Sequence, residues 1–294
     1  MIERSIVFGK NAGLIATIAT PLPDVPPQAH TGFIFFNAGV VHRVGVHRTN
    51  VTIARALVAL GIPSIRFDLA GLGDSARADG KNSFAEQAVS DIRDAMDALT
   101  EATGVRRFVL YGVCSGAVHS YSAALADERV AGIAMFDTFK YPTYKAQIRR
   151  ITFRLKKYGS MAAITKRLVS MGFRSMSNAL ASLRKPAAPK AERVVSSIGF
   201  FAYRPLKAEF AFGLRTLLNR GTKVFLIYAG SGFEHYNYAD QFSDAFKKFG
   251  IADLVETAFL RDVDHNATRL AAQTELIACM TQWAAQFSTQ REKN

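Results

Sequence analysis

Short apolar runs alternate with amphipathic stretches along most of the chain. Runs at 3–8, 13–19, 32–36, 62–67, 108–111, 131–136, 222–228 and 254–260 have the length and composition of buried strands. Between them, apolar residues recur at helical spacing over 49–60, 84–103, 117–126, 238–249 and 267–287, with Asn50 placed to cap the first of these helices. Strand, helix, strand, helix at this spacing predicts a mainly parallel, eight-stranded sheet with right-handed crossovers and helices on both faces. The alternation lapses between Phe139 and Arg220, where the pattern predicts helices and loops without a strand. Residues 21–27 are rich in proline and predict a loop.

Bulk properties narrow this picture. The chain has 294 residues, about half of them apolar, enough for one large α/β domain with an insertion. Its two cysteines, Cys114 and Cys279, argue against a disulfide framework and for a reducing, cytoplasmic setting. The first residues lack the apolar core of a signal peptide, and no run has the length of a membrane span, so a soluble protein is expected. The net charge of +13 is unevenly placed. Between Phe139 and Lys223 stand 19 lysines and arginines against two acids, Glu192 and Glu209; the rest carries 18 basic and 22 acidic residues. A positive field gathered in one segment favours an anionic partner. Residues 148–158 and 164–171 interleave apolar and basic positions at helical spacing, a pattern suited to an anionic membrane surface, to a mouth for an acidic substrate, or to a solvated face over a packed cap. Nucleic acid is the poorest partner, because no recognition motif or aromatic stacking platform accompanies the charge.

The chemistry centres on Phe108-Val-Leu-Tyr-Gly-Val-Cys-Ser-Gly-Ala117. An apolar strand, a tight glycine turn and a helix form the setting of a nucleophile elbow, with Cys114 where such elbows carry serine. Cys114 is then either a nucleophile or a small core residue left in a fold without chemistry. Ser115 lies one residue past the tip, where its backbone N–H is better placed than its hydroxyl to act, as an oxyanion donor.

The chain resembles the α/β-hydrolase superfamily over about residues 1–137 and 222–288. Phe67-Asp-Leu-Ala-Gly-Leu-Gly-Asp-Ser75 is similar to that superfamily's D-x-x-G-x-G-x-S turn, and the elbow precedes a late Asp264-His265 in the superfamily's order. His42-Arg-Val-Gly45, His47-Arg48, the Cys-Ser-Gly-Ala elbow and Asp137-Thr-Phe-Lys-Tyr-Pro142 more narrowly resemble hydrolases encoded with exosortase and exopolysaccharide systems. The superfamily likeness implies an α/β-hydrolase core over 1–138 and 221–294 with a basic helical cap over 139–220. It implies His265 as general base, and a triad acid in the loop after the 222–228 strand. Glu234 is the nearest carboxylate there, although the usual G-x-x-D spacing is absent; Asp137, after the preceding strand, is the alternative. Gly39 or Val40, in the loop replacing the H-G motif, supplies the second oxyanion N–H, and His42 and His47 flank that loop as substrate-binding candidates. Asp68, Gly71, Gly73, Asp74 and Ser75 are assigned to the turn itself.

The expectation is an acyl hydrolase or acyltransferase acting on an ester or thioester through a covalent Cys114 intermediate, with no metal or organic cofactor. Carrier-linked, coenzyme A-linked and anionic saccharide substrates all suit the charge. The rival reading is a non-catalytic binding or scaffold protein of an exopolysaccharide or membrane-linked pathway, working through its basic cap at the inner face of a membrane.

Overall fold

The computed structural model describes residues 1–10, 13–22, 30–158, 205–232 and 234–288. The 164–171 pattern, the 21–27 loop beyond residue 22 and most of the inserted segment lie outside them.

Eight strands form one sheet: β1 (Ile2–Phe8), β2 (Leu14–Thr20), β3 (Thr31–Phe35), β4 (Ser64–Phe67), β5 (Arg107–Val113), β6 (Val130–Phe136), β7 (Lys223–Ala229) and β8 (Glu256–Leu260). Their order is β1-β2-β4-β3-β5-β6-β7-β8. β1 pairs with β2, and β2 with β4, antiparallel; every other neighbouring pair is parallel. The central strands β3, β4 and β6 are buried along their whole length; β6 reads as an unbroken apolar run, while β4 buries Arg66, which pairs with Glu3. β1, at the edge, alternates and is mostly exposed.

Helices cover both faces. On one face lie α1 (Thr49–Ala59) and α7 (Leu270–Ala284), whose Ile53, Leu57, Met280 and Trp283 pack on Phe33, Phe35 and Tyr111. On the other lie α2 (Phe84–Thr103), α3 (Ser115–Ala126), α5 (Lys207–Asn219) and the short α6 (Gln241–Phe246), contributing Ile92, Met96, Ala117, Phe210 and Phe242 to the larger core. α4 (Tyr144–Tyr158) follows β6. α2 starts with a reciprocal Ser83–Glu86 capping box and stops at Gly104, whose positive φ ends the helix. α1 departs from expectation: Arg48, in the left-handed region, precedes it, and Asn50 is buried inside it, donating to the Arg43 carbonyl rather than capping.

Where the inserted segment leaves and rejoins the sheet, aromatic packing closes the neck. Phe139 stacks on Phe210 with centroids 4.4 Å apart, Tyr141 stacks on the same ring at 5.5 Å, and the Tyr141 hydroxyl donates to the Pro205 carbonyl at 2.9 Å. Each such ring pair contributes about 0.5–1.5 kcal/mol beyond its buried area.

Candidate active site

β5 delivers Cys114 to the sheet's C-terminal edge, and α3 begins at the next residue. Cys114 has φ 55° and ψ −116°, a conformation that costs a non-glycine residue about 1–3 kcal/mol. The turn is tight enough to demand glycine on both sides. A Cβ on Gly112 would lie 2.5 Å from the backbone of Gly116 and Ala117, and one on Gly116 would lie 2.7 Å from the Asn37 carbonyl oxygen. The strained turn lifts the thiol out of the core, so Cys114 is exposed; the core-residue reading of this cysteine fails.

His265 follows β8, and its ring and the Cys114 thiol interact, each shifting the other's titration. Its backbone N–H donates to Ser231 Oγ at 3.2 Å, tying it to the turn after β7. On the far side of the ring, Nδ1 donates to Asp137 Oδ2 at 2.5 Å. Asp137 is the residue after β6; it is buried, and its positive φ of 58° turns the carboxylate back across the strand ends. Its other oxygen, Oδ1, accepts from the Ala229 N–H at 3.0 Å and from Lys140 Nζ at 2.7 Å.

These contacts set the charges. The Asp137 bond, then the Cys114 bond, raise His265 from 6.5 to about 10. The His265 bond lowers the thiol against the opposing effect of burial, helped by the Ser115 backbone N–H. Burial pushes Asp137 up, but the bonds to His265 and Lys140 and the Lys140 charge outweigh it, and the carboxyl stays below its ordinary range. The imidazolium form of His265 is thus favoured at neutral pH and in turn favours the ionised thiol, while Asp137 is held ionised beside Lys140.

Glu234 takes no part in this chain. Its carboxylate pairs with Arg154 of α4, Nη2 to Oε2 at 2.6 Å and Nε to Oε1 at 3.3 Å, on the surface. The physical reason is strand position: β7 ends in a turn at Gly230–Gly232 that presents Ser231 to His265, and Glu234 comes later, facing α4. Of the two candidate carboxylates, Asp137 is the one that bonds His265.

The loop after β3 is held from two sides. Asp68, fully buried, accepts from Asn37 Nδ2 at 2.7 Å, the Arg43 N–H at 2.7 Å and Arg43 Nη1 at 2.5 Å. From the other side, the Gly39 N–H donates to Ser115 Oγ at 2.8 Å, so that donor is engaged, and Val40 projects into solvent. His42 belongs to the Asp68–Arg43–Asp74 cluster, with Nε2 3.2 Å from Asp74 Oδ2. His42, Asp68 and Asp74 gather ligand atoms within 4.8 Å, yet the cation among them is the Arg43 guanidinium, 2.5 and 2.6 Å from the two carboxylates. His47 has a positive φ of 50° and no role in the triad. His119 packs edge-on against Phe84, and burial lowers it to about 4.

A cavity of about 20 Å³ adjoins His265 and is lined by Phe36, Ala38, Val46, Tyr111 and Leu276. Tyr111 and Leu276 belong to the core under α1 and α7, so the cavity leads from the imidazole toward that face. Lys140 and Ser231 are the site residues that sequence reasoning missed. Asp137 and Lys140, three apart directly after an apolar strand, were the available signal.

No protein-family model matches the chain, and no curated protein matches it in sequence. Solved structures do match in fold. An esterase from Pyrococcus furiosus superposes with a TM-score of 0.56 at 12% identity, over 98% of this chain and 92% of that one. An esterase domain from a Rhodothermus marinus protein gives 0.53 at 16% identity, over 98% and 100%. An α/β serine hydrolase homologue from Coxiella burnetii gives 0.51 at 14% identity, over 96% and 97%. Among the described residues, no helix is long and apolar enough to cross a membrane. The strand order, the helices on both faces and the likeness to these structures together show that the chain has the α/β-hydrolase fold.

Proposed function

We propose that the protein is an acyl hydrolase or acyltransferase that passes an ester or thioester acyl group through Cys114. The observation that carries this reading is the bond from the His265 ring to the buried Asp137, on a ring that interacts with the Cys114 thiol at a strained strand-to-helix turn that leaves Cys114 exposed. A nucleophile, a base and an orienting carboxylate in this relation form the general layout of covalent acyl transfer. The Cys114 thiolate attacks the carbonyl carbon, and the carbon–oxygen or carbon–sulfur bond to the leaving group breaks. The His265 imidazolium gives its proton to that leaving group. A water, or an acceptor hydroxyl or thiol, then attacks the thioester while His265 takes its proton, and the thiolate is regenerated. Asp137 holds the ring with Nδ1 protonated throughout, leaving Nε2 for the sulfur.

The developing oxyanion needs donors near the elbow. The Ser115 N–H, at the head of α3, favours negative charge on the sulfur. The Ser115 hydroxyl accepts from Gly39, which leaves its own proton available as a second donor. The inserted segment, proposed as a cap, decides by access to water whether transfer or hydrolysis follows.

Intact-mass measurement after incubation with nitrophenyl acetate tests the reading. One acetyl group is expected on Cys114, absent from Cys114→Ala; an unmodified wild-type chain overturns it. A scaffold role draws support from α4, whose Tyr144, Ile148 and Ile151 are exposed beside Lys145 and Arg149. Salt-sensitive binding to anionic vesicles without any adduct is its expected signature.

A further inference from the structure

A second cavity, of about 120 Å³, lies between the loop after β6, the first turns of α4 and the loop after β7. Lys140, Ala146, Gln147, Arg150, Glu234 and His235 line it. Its volume is well above the roughly 10–15 Å³ that admits one water. Its walls are fixed by buried hydrogen bonds. The fully buried Gln241 donates through Nε2 to the carbonyls of Tyr141, at 3.0 Å, and His235, at 2.8 Å. Asn237 Nδ2 donates to the Ala146 carbonyl at 3.0 Å, and the hydroxyls of Thr143 and Tyr238 are 2.7 Å apart. The two loops and the start of α4 are therefore clamped around this space.

The charges facing the cavity do not cancel. Cys114 and His265 form one pair, Asp137 and Lys140 a second, Glu234 and Arg154 a third. Arg150 is different: among the described residues no hydrogen bond or salt bridge engages its half-buried guanidinium, and its charge is met only at longer range by Glu234, which is itself bonded to Arg154. An oxyanion group entering here meets the Arg150 guanidinium, which holds no short-range partner, with Lys140, His235 and the Arg154-paired Glu234 also lining the space. A guanidinium recognises a carboxylate or a phosphate through two parallel N–H bonds. The cavity is also close to the chemistry, because Lys140, on its wall, touches Asp137 directly, and Asp137 touches His265.

We propose that this cavity is an anion subsite, centred on Arg150, which receives a carboxylate or phosphate group carried by the acyl substrate. The proposal rests on the acyl-transfer reading for its purpose, but the subsite itself can be tested without turnover. The full chain is titrated calorimetrically with monomethyl succinate, inorganic phosphate and neutral dimethyl succinate in about 150 mM salt, where long-range fields are screened beyond roughly 8 Å. At least one charged probe is expected to bind and the neutral one not to; which anion binds more tightly names the group. Arg150→Gln is expected to weaken that binding at least tenfold. Lys156→Gln, the same loss of charge at an exposed position of α4, is expected to change it less than twofold. Melting curves check that both variants are folded. No binding of either anion, or an equal loss in both variants, overturns the subsite. The same proteins are then compared for the rate of Cys114 acylation by a nitrophenyl hemisuccinate and a nitrophenyl butyrate. A preference for the charged ester that falls about tenfold in Arg150→Gln, and not in Lys156→Gln, supports the subsite's part in the reaction. Anion binding without any Cys114 adduct leaves the subsite standing and removes the acyl-transfer reading. Acylation at equal rates by both esters, with no anion bound, does the reverse.

Discussion

Replacing Asp137 by asparagine separates the two candidate carboxylates and tests the proton logic of the site. The aspartate accepts three bonds: Ala229 N–H and Lys140 on Oδ1, His265 Nδ1 on Oδ2. An amide offers one oxygen and one NH2. With two donors on one side, its oxygen turns toward Ala229 and Lys140, and its NH2 faces His265. Nδ1 must then accept, the single ring proton sits on Nε2, and the neutral ring can no longer take the thiol's proton to form the ion pair. Losing a hydrogen bond to a charged group costs about 1.5–3 kcal/mol, which is roughly 10- to 150-fold in rate. The wrong tautomer extends the loss toward about 10⁴-fold in serine triads. A thiol needs less help to ionise, so a fall of about 10²- to 10³-fold in kcat/KM is expected for Asp137→Asn. Glu234→Gln breaks a surface ion pair of about 0–1 kcal/mol and should change the rate less than about fivefold. Nitrophenyl ester turnover with active-site titration reads both. An Asp137→Asn rate within about threefold of wild type, or a matching loss in Glu234→Gln, would refute the assignment of the acid.

Three further outcomes are expected. The lowered thiol of Cys114 means that alkylation by iodoacetamide persists at pH values below the 9.0 of a free thiol, and His265→Ala should move the midpoint of the rate–pH curve upward, followed by intact mass; an unmoved midpoint counts against the pair. Ser115→Ala keeps the backbone donor and removes the hydroxyl that links Gly39 to the elbow, so kcat should fall about 10- to 100-fold while the melting temperature changes little; unchanged kcat excludes the relayed donor. Gly116→Ala forces the elbow away from the Asn37 carbonyl and should destabilise the protein by about 1–3 kcal/mol, lowering the melting temperature by several degrees; an unaltered melting temperature would show that the turn has slack.

The strands and the elbow were legible in the sequence for a simple reason. A parallel sheet buried on both faces leaves continuous apolar runs, and a turn this tight leaves glycines at 112 and 116. Cys114 and His265 were found through those features and their order. Asp137 ranked below Glu234 because a carboxylate's usefulness depends on where its side chain turns, and the left-handed φ that aims Asp137 at His265 leaves no periodic trace. Asn50 reads as a cap because capping residues are recognised by type, whereas here the positive φ values at His47 and Arg48 place the cap at Arg48, two residues earlier. The Gly39 N–H faces the elbow through its bond to Ser115, a link between residues 76 apart that no local pattern reports.

On the proposed acyl-transfer reading, seating Asp137 beside the strand that carries Cys114 has a consequence for how such a protein can change. β5 and β6 are neighbours, so the groups that must keep strict register are carried by adjacent rungs of one rigid ladder. The segment after β7, relieved of carrying the third member, contributes a serine backstop and the clamped wall around Arg150. Mutational drift there would retune which molecules are admitted while the reacting groups stay in place.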